Sequence, residues 1–546
     1  MTERRRARAT GDSPERIVRS TAAARAVALL AAALTALAVE ATQLTDAERR
    51  GKELYLTGRS PSGGEVTAVM GPDRILLPGR AAACGGCHGH DGTGRPESGI
   101  IPSNVTWDYL TKSYGHVHED GLVHGPFDDD SLTHYMRTGV YPGGATGDSS
   151  MPLYDMPPAD LEDLIAYLKR IGDDVDPGVG DSSVTVATVV PSAGPLVDMG
   201  RTIRDVLAAS FERVNSEGGI YGREIVFEVH ELAADPAVAQ GLFATWLAAR
   251  QPFALVSPFT PGIEPEVNGA ARDERVPVIG PWTLYPVESY TLNRSVFYLV
   301  SGLAEQVRAI IGFLAPQLEG DGIRAAVLYP DVRSVEGTVA SIEGACRDVG
   351  WTVVESRPFA LTAGDPGATV GALRDAGADV VISLASETEL RAVLGAADAA
   401  GWTPWVLAPG VLTGALAVDA PAAFRGRLVL AYPTLPPDRE EWALRDLSRI
   451  VGGGAAVRDH VQAAISASAA AAVLTEGLRR AGRRLGRTEL LSALESLYRF
   501  ETGLTPPLTY TPNRRVGANG AWVVVDDGEQ GDARALLETA RWVELP

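Results

Sequence analysis

Cysteine is scarce in this chain: among its 546 residues it occurs only at positions 84, 87 and 346. An exported protein held together by disulfides would carry more cysteines, in an even number. A disulfide between Cys84 and Cys87 would close a very short loop and stabilise the chain little. Cys346 falls in a stretch of helical character without a second cysteine to pair with, so it is predicted to be a buried apolar residue. The closely spaced pair at 84 and 87 needs another explanation.

Basic residues are also in short supply, since 49 Lys and Arg stand against 69 Asp and Glu, for a formal net charge of −20. An acidic surface repels phosphate backbones and anionic lipid, which argues against nucleic acid and peripheral membrane binding and leaves open docking to a basic patch on another protein. With 45% hydrophobic and 22% charged residues, the composition is that of a globular protein. The length exceeds what one core can hold, so several compact units are expected.

Long apolar runs are lacking except near the N-terminus, where Ala26 to Val39 follows an arginine-rich start. As a helix this run would cover about 21 Å, less than the roughly 30 Å of hydrocarbon in a bilayer. Val39-Glu40-Ala41 offers modest side chains to a signal peptidase, so residues 1–41 are predicted to be a signal peptide cleaved after Ala41. The alternative is an uncleaved anchor from Thr21 to Ala41. Both interpretations predict export to the periplasm, with no other membrane domain.

The two cysteines belong to the motif Cys84-Gly85-Gly86-Cys87-His88. Two residues between the thiols let both sulfurs reach the vinyl groups on one edge of a haem, and the next residue is placed to ligate the iron. The motif therefore predicts one covalent haem c, attached at Cys84 and Cys87 and ligated by His88. A redox dithiol would need a thioredoxin-like βαβ context. A zinc site would need a second pair of ligands, and His116 and His118 are only weak candidates for it.

The surrounding sequence offers helices and a methionine loop. Asp46 to Tyr55 is helical in pattern, and Gly51 in its middle would let a crossing helix that carries Tyr167 approach closely. A Met-Pro loop, 150–158, precedes a helix over Asp160 to Ile171 with one apolar stripe. Together with the C-x-x-C-H motif, these features resemble the class I cytochrome c family over roughly residues 44–172.

The resemblance implies an all-α cytochrome c domain, assigned to residues 42–172, and matches Met151 to the axial methionine, with Met156 as the weaker rival. Met136 is interpreted as a packing residue. A histidine ligand would lower the potential, and the candidates are His116, His118, His124 and His134. These histidines are otherwise expected on the solvated surface or near the haem propionates. The stretch Gly58 to Ala83, inserted before the haem motif, departs from the compact family pattern.

Residues 173–183 are rich in Asp, Gly, Pro and Ser and predict a linker. From residue 184 to 546, short β-type runs alternate with helical patterns. This alternation predicts an α/β domain of two lobes, each a doubly wound parallel sheet covered by helices on both faces.

Particular phrases in this half resemble the Leu/Ile/Val-binding proteins, which are type I periplasmic binding proteins of ABC importers. The phrases are residues 211–223, 233–236, 256–260, 276–280 and 296–298. The resemblance implies a ligand in the cleft between the lobes, with Thr260 and Thr283 as candidate ligand hydroxyls, although threonine is also common in turns and caps. Two positions depart from the family: Ser334 stands where members have an aromatic, and the segment at Gly410 lacks the acid that meets an ammonium. A branched-chain amino acid is therefore not the expected ligand.

These observations predict a periplasmic c-type cytochrome that transfers single electrons, with a fused domain for a small organic ligand. Its expected partners are a periplasmic dehydrogenase and other cytochromes of a substrate-oxidising respiratory chain. The alternative is a solute-binding protein of ABC-type transport or signalling in which the haem reports redox state. A haem enzyme such as a peroxidase would need an open iron face, which Met151 would close, so no catalytic residues are predicted.

Overall fold

The computed structural model describes residues 44–89, 91–94, 102–118, 121–146, 151–286, 293–318, 322–332, 335–360, 364–414, 416–450, 460–525 and 538–545. The predicted signal peptide and Ser334 lie outside these residues. The chain divides into two compact units between Asp174 and Val175.

The first unit consists mainly of helices and carries a small sheet. Its elements are α1 (Asp46–Thr57), β1 (Thr67–Met70), β2 (Ile75–Pro78), α2 (Cys84–His88), α3 (Trp107–Leu110), β3 (His116–Val117), β4 (Val123–His124), α4 (Asp129–Thr138), β5 (Leu153–Asp155) and α5 (Pro158–Leu168).

The close approach predicted at Gly51 is confirmed where α1 crosses α5. A Cβ atom on Gly51 would overlap the carbonyl oxygen of Asp163 and lie 2.7 Å from the Cβ atom of Tyr167. The rings of Tyr55 and Tyr167 meet edge to face, with centroids 5.5 Å apart. Arg50 donates two hydrogen bonds, of 2.6 and 2.7 Å, to the Asp163 carboxylate across the same crossing. Only glycine at position 51 permits this backbone contact.

The inserted stretch 58–83 contains a β-hairpin that the sequence did not predict. β1 pairs antiparallel with β2 on one side and with β5 on the other, and Ala68 is opposite both Leu77 and Tyr154. Ala68 is fully buried, whereas the edge strand β2 is largely exposed. The insertion thus attaches to the segment that follows Met151.

The second unit alternates strands and helices as predicted. Its strands are β6 (Ser183–Pro191), β7 (Glu224–Leu232), β8 (Ala254–Val256), β9 (Val278–Ile279), β10 (Val296–Val300), β11 (Arg324–Tyr329), β12 (Thr352–Pro358), β13 (Val380–Ser383), β14 (Trp405–Pro409), β15 (Leu428–Tyr432), β16 (Val516–Ala518), β17 (Gly520–Val525) and β18 (Arg541–Glu544). Its helices are α6 (Val197–Ser216), α7 (Pro236–Arg250), α8 (Glu264–Asp273), α9 (Leu303–Leu314), α10 (Glu336–Asp348), α11 (Pro366–Asp375), α12 (Glu387–Ala399), α13 (Leu416–Asp419), α14 (Glu441–Ile450), α15 (Val461–Ala481) and α16 (Arg487–Glu495).

The strands form two sheets, which define two lobes. Lobe 1 has the strand order β16-β10-β9-β8-β6-β7, with parallel pairing throughout. Lobe 2 has the order β12-β11-β13-β14-β15-β17-β18, in which β17 and β18 are antiparallel additions to a parallel sheet. Both sheets are buried on two faces; along β6, for example, Val184 and Val186 enter one apolar cluster and Ala187 and Val189 the other. The predicted doubly wound lobes are confirmed.

Among the described helices, α15 is long and apolar enough to cross a membrane by length and composition alone. Twelve of its residues are buried, and Ala464, Ala467 and Ala470 belong to the core of lobe 1. This burial is that of a core helix in a globular lobe.

Two segments that run between the lobes are held together by one side chain. Ser301 follows β10, and its hydroxyl donates to the Ala518 carbonyl oxygen at 3.1 Å and accepts from the Gly520 amide at 2.9 Å. The first segment leads from β10 to α9, and the second from β16 to β17. Ser301 is 3% exposed, so this link is shielded from water.

Candidate functional site

The predicted haem-attachment residues lie on one short helix. α2 presents Cys84 and Cys87 one turn apart, hence on the same face, with Cys84 half-buried and Cys87 exposed. Neither thiol is in a disulfide, and neither is Cys346, which is fully buried as predicted. Burial raises the pKa of the Cys84 thiol to about 11, while a hydrogen bond with Tyr154 opposes the shift.

His88 is held as a neutral imidazole with one nitrogen available. Its Nδ1 atom lies 2.8 Å from the carbonyl oxygen of Ser103. A carbonyl only accepts, so Nδ1 carries the proton and Nε2 keeps its lone pair. Burial lowers the pKa of His88, and the bond to Ser103 partly offsets this. Two thiols on one face and an oriented imidazole are the donor set that a haem c requires, so these residues fit the cofactor.

Two buried tyrosines fix the backbone on either side of the motif, and sequence reasoning missed both. The Tyr154 hydroxyl donates to the Ala82 carbonyl oxygen at 2.6 Å, and the Tyr55 hydroxyl donates to the Gly89 carbonyl oxygen at 2.7 Å. Burial raises the pKa of both phenols, which therefore remain donors. The bonds hold the segments that enter and leave α2.

The methionine candidates differ in burial. Met156 and Met136 are each 5% exposed and belong to the apolar core of the first unit. Met151 is half-buried and packs against the edge of that core, two residues before β5. This difference favours Met151 as the methionine with its thioether available.

Three of the candidate histidines lie on the β3–β4 hairpin, where they form a cluster with neighbouring aromatic residues. The rings of His116 and His124 stack with centroids 4.7 Å apart, and His124 stacks on Tyr141 at 4.3 Å. His116 Nε2 lies 3.0 Å from the Leu110 carbonyl oxygen, and His124 Nε2 lies 3.0 Å from His118 Nε2. The protein itself therefore engages these nitrogens.

The expectation of a solvated surface is wrong for His116 and His124, each only 5% exposed, because their rings pack against each other and the neighbouring aromatics. His134 is exposed on α4, as expected. No group of three or more His, Cys, Asp or Glu side chains among the described residues is arranged to hold a metal ion.

In the second unit, the structure brings both threonine candidates to one edge of lobe 1. Thr260 follows β8 and is 4% exposed, and Thr283 follows β9. The two loops are joined by the Trp282 amide, which donates to the Pro258 carbonyl oxygen at 2.9 Å. In this sheet β6 lies between β7 and β8, and ligands of such sheets bind outside the carboxyl ends of the strands, where the strand order reverses. The two loops lie at this end.

Thr283 makes two hydrogen bonds within lobe 1. It accepts from the Tyr285 amide at 2.9 Å and donates to Glu264 Oε2 at 2.6 Å. Glu264 was not a sequence candidate, because an acidic residue in the first turn of a helix is ordinary. In the same loop as Thr260, Ser257 has a left-handed backbone, with φ of 44°, and its buried hydroxyl has no partner among the described residues. Such strain in a non-glycine residue is common at binding sites.

The departure at Gly410 has a structural reason in lobe 2. A Cβ atom on Gly410 would overlap the ring of Tyr432. Tyr432 is the last residue of β15, the strand that pairs with β14 next to Gly410. The phenol therefore fills the space in which a side chain at 410 would stand. The other departure, Ser334, lies outside the described residues.

Comparisons with known proteins agree with this architecture. The sequence profile of the periplasmic binding protein family matches residues 183–530, and that of cytochrome c matches residues 80–172. The chain is 31% identical over 105 residues, 19% of its length, to a chemotactic signal transduction system substrate-binding protein, BasB, of Halobacterium salinarum. It is 24% identical over 238 residues, 41% of its length, to Leu/Ile/Val-binding protein homolog 7 of Brucella suis biovar 1.

These matches span 25% and 57% of the two relatives' own lengths. Among solved structures, a branched-chain amino acid ABC transporter protein from Thermus thermophilus with bound valine is similar with a TM-score of 0.51 and 16% sequence identity. That likeness covers 67% of this chain and 97% of the other. At this level of identity it shows the fold.

Proposed function

Because the chain belongs to the periplasmic binding protein family and carries a cytochrome c domain ahead of that region, we propose that it is an exported electron-transfer protein with a fused sensor for a small ligand. The observation that carries the electron-transfer part is the geometry around α2. Two thiols on one helical face and an imidazole oriented by Ser103 at 2.8 Å are what a covalent haem needs.

A bound haem c supplies a one-electron Fe(III)/Fe(II) couple. In this chain, Cys84 and Cys87 would hold it covalently and His88 would ligate it through Nε2. Met151 is proposed as the residue that would supply a second ligand to the iron, since Met136 and Met156 are buried in the core. Nε2 of His116 and both ring nitrogens of His124 contact protein atoms, which supports a methionine in preference to a histidine.

With both His88 and Met151 as ligands, the iron would have no open position for substrate, which favours electron transfer over catalysis. The net charge of −20 suits a redox partner with a basic docking patch, such as a periplasmic dehydrogenase or another cytochrome. We place the protein in the periplasm, with residues 1–41 as its signal peptide or N-terminal anchor.

The cleft of the second unit is proposed to bind a small organic ligand through hydroxyls at the carboxyl ends of the lobe 1 strands. Thr260 and Thr283 both lie at this edge, and the strained loop at Ser257 adds a hydroxyl without a partner among the described residues. Lobes of this kind close on a ligand by bending at the connecting segments. Ligand occupancy would then report on the substrate that the electron-transfer chain oxidises.

A second candidate function is solute binding for ABC-type transport or signalling, with the haem as a redox reporter. The family of residues 183–530 favours it, as does the similarity to a chemotactic substrate-binding protein. The two candidate functions differ in whether the haem exchanges electrons rapidly with partner redox proteins.

The test is the visible spectrum of the purified full-length protein, oxidised and reduced, with and without candidate small ligands. For electron transfer we expect a low-spin spectrum, reversible one-electron reduction and no reaction of the reduced form with carbon monoxide. Rapid carbon monoxide binding and peroxide turnover would contradict the proposal, because they require an open iron face. Slow exchange of electrons with every redox protein tried, together with tight ligand binding, would favour the solute-binding alternative.

A further inference from the structure

The ligand-binding edge of lobe 1 contains a carboxyl group whose hydrogen bonds are incomplete. Glu264 is the first residue of α8, which begins after the loop that leaves β8. Thr283, in the loop after β9, contacts it directly. Both residues therefore stand at the carboxyl end of the sheet, where ligands of such domains bind.

The hydrogen bonds around this carboxyl leave Oε1 as the open position for a proton. The Tyr285 amide donates to Thr283 Oγ1, and Thr283 Oγ1 donates its proton to Glu264 Oε2 at 2.6 Å. While this bond is kept, Oε2 is an acceptor, and a proton bound by the carboxyl is carried by Oε1. Oε1 is buried and has no hydrogen-bond partner among the described residues.

The surroundings favour the protonated form. Burial raises the pKa of Glu264 to about 7, and the hydrogen bond from Thr283 opposes this shift. In the part of the chain that the structure describes, no salt bridge involves Glu264, and no charged group contributes to its pKa shift. Below about pH 7, a proton on Oε1 is then a buried donor without an acceptor among the described residues, which is costly unless a ligand supplies one.

Lobe 2 does not place a carboxylate at the position where the resemblance predicts one for an ammonium. The ring of Tyr432 covers Gly410 there. In lobe 1, the hydroxyl of Ser257 is a second buried polar group without a partner among the described residues. The edge thus combines a hydroxyl and a neutral acid, a pairing suited to oxygen acceptors.

We propose that Glu264 is the specificity-determining residue of the cleft, and that its Oε1–H donates to a carboxylate oxygen of a small organic acid. This inference rests on the proposed function, since it assumes that the cleft binds a small ligand. It names the ligand class: a short monocarboxylate, which accepts from Glu264, in preference to an amino acid, whose ammonium would be left without a carboxylate.

The test is calorimetric titration of the full-length haem-loaded protein with acetate, propionate and butyrate, and with 1-propanol and leucine for comparison. The acids should bind and take up one proton per ligand above pH 7. Their affinity should fall by about tenfold per pH unit above pH 7, because the anion must bind the protonated form of one group. Acetate, propionate and butyrate are anionic throughout this pH range, so the dependence reports on the protein.

Three variants sharpen the test. Glu264→Gln keeps a donor for the ligand and an acceptor for Thr283, so it should bind the acids within about threefold of the wild-type affinity at pH 6 but lose the pH dependence. Glu264→Ala should lose binding. Glu266→Gln removes an exposed carboxylate from the same helix turn and should behave as wild type. Unchanged melting temperatures and haem spectra would show that each variant is folded.

Persistent pH dependence in Glu264→Gln, or its loss in Glu266→Gln, would overturn the inference. Binding of leucine or 1-propanol without binding of the acids would also overturn it, while the proposed ligand-binding function would stand. If no probe binds to the wild type, the inference and the ligand-binding part of the function both fail, and the redox spectrum still tests the electron-transfer part.

Discussion

The hydroxyl of Tyr154 donates a 2.6 Å hydrogen bond to the carbonyl oxygen of Ala82, across 72 residues of sequence. Tyr154 lies on β5, three residues after Met151, and Ala82 lies two residues before Cys84. The bond therefore ties the methionine loop to the segment that enters the haem motif. It supports Met151 as a residue of the haem site, because the two parts of the site are anchored to each other by a buried contact.

The haem should be covalently attached. It should remain with the wild-type chain under acid-denaturing conditions, and replacing both Cys84 and Cys87 by alanine should abolish attachment, since no thioether can then form. Mass spectrometry of the denatured protein measures this directly. Cys346→Ala is the matched control and should keep the haem, because this thiol lies in the core of lobe 2. Haem that extracts freely from the wild-type chain would show that the motif has been misread.

Met151→Ala should remove the far-red sulfur-to-iron charge-transfer band of the oxidised protein and lower the potential, because thioether ligation favours Fe(II). Absorption spectra and a redox titration are the measurements. Met156→Ala should keep the band but destabilise the first unit by about 2–5 kcal/mol, the usual loss for a buried methionine. If Met156→Ala removes the band instead, the other methionine of the loop is the ligand. If the oxidised wild type lacks the band altogether, a histidine takes that position.

Gly51→Ala should destabilise the first unit by at least about 1–3 kcal/mol, because the added Cβ atom would overlap the Asp163 carbonyl oxygen where α1 crosses α5. Thermal unfolding followed by haem absorbance measures the change. Gly125→Ala is the control in the same unit, since nothing lies within 4 Å of its added Cβ atom. Equal melting temperatures for the two variants would mean that the helices separate easily.

The buried histidine pair predicts acid sensitivity of the first unit. Burial lowers the pKa of His116 and of His124, and the positive charge of Lys112 adds to the effect on both. The unfolded chain then binds more protons than the folded one below pH about 6.5. The stability that the two neutral histidines contribute should be fully present above that pH. It should fall as the pH drops toward their lowered pKa values in the folded protein.

The corresponding variant is His124→Phe, which keeps a ring for the stack on Tyr141 but cannot titrate. Melting temperatures between pH 5 and 8 should decline less steeply in this variant than in the wild type. His134→Phe, at an exposed position, should leave the slope unchanged. The same slope in all three proteins would place the acid sensitivity elsewhere in the unit.

The second unit should fold without haem when it is produced from Val175. Asp176 accepts a 2.6 Å hydrogen bond from the Arg487 amide, and the Arg487 side chain donates to the carbonyl oxygens of Pro252, Phe253 and Glu274. A fragment that begins at Val184 lacks Asp176 and should be less stable by about 1–3 kcal/mol, the cost of a buried group left unpaired. Urea unfolding of the two fragments measures the difference. Equal stability would show that residues 175–183 contribute nothing to the fold.

The sequence predicted those features that short motifs and periodicity encode. The C-x-x-C-H motif is recognised from local spacing alone. The role of Gly51 follows from a glycine in the middle of a helical pattern, and the two parallel sheets follow from the alternation of strand and helix patterns. The pairing of β1 with β5 joins residues more than eighty positions apart, such as Ala68 and Tyr154, and two short strands carry no local signal for it. Glu264 was missed for a related reason, because its burial comes from tertiary packing against the next strand's loop. The same holds for the rings of His116 and His124.

The hydroxyl of Ser301 makes the two chain segments it joins mechanically dependent on each other. Neither can rotate about its own backbone bonds without straining the bonds to Ala518 and Gly520. When the lobes open or close, these two segments must therefore move together and not independently of each other. In the proposed ligand-binding function, the rate of lobe opening, and with it the residence time of a ligand, would then depend partly on the Ser301 hydroxyl.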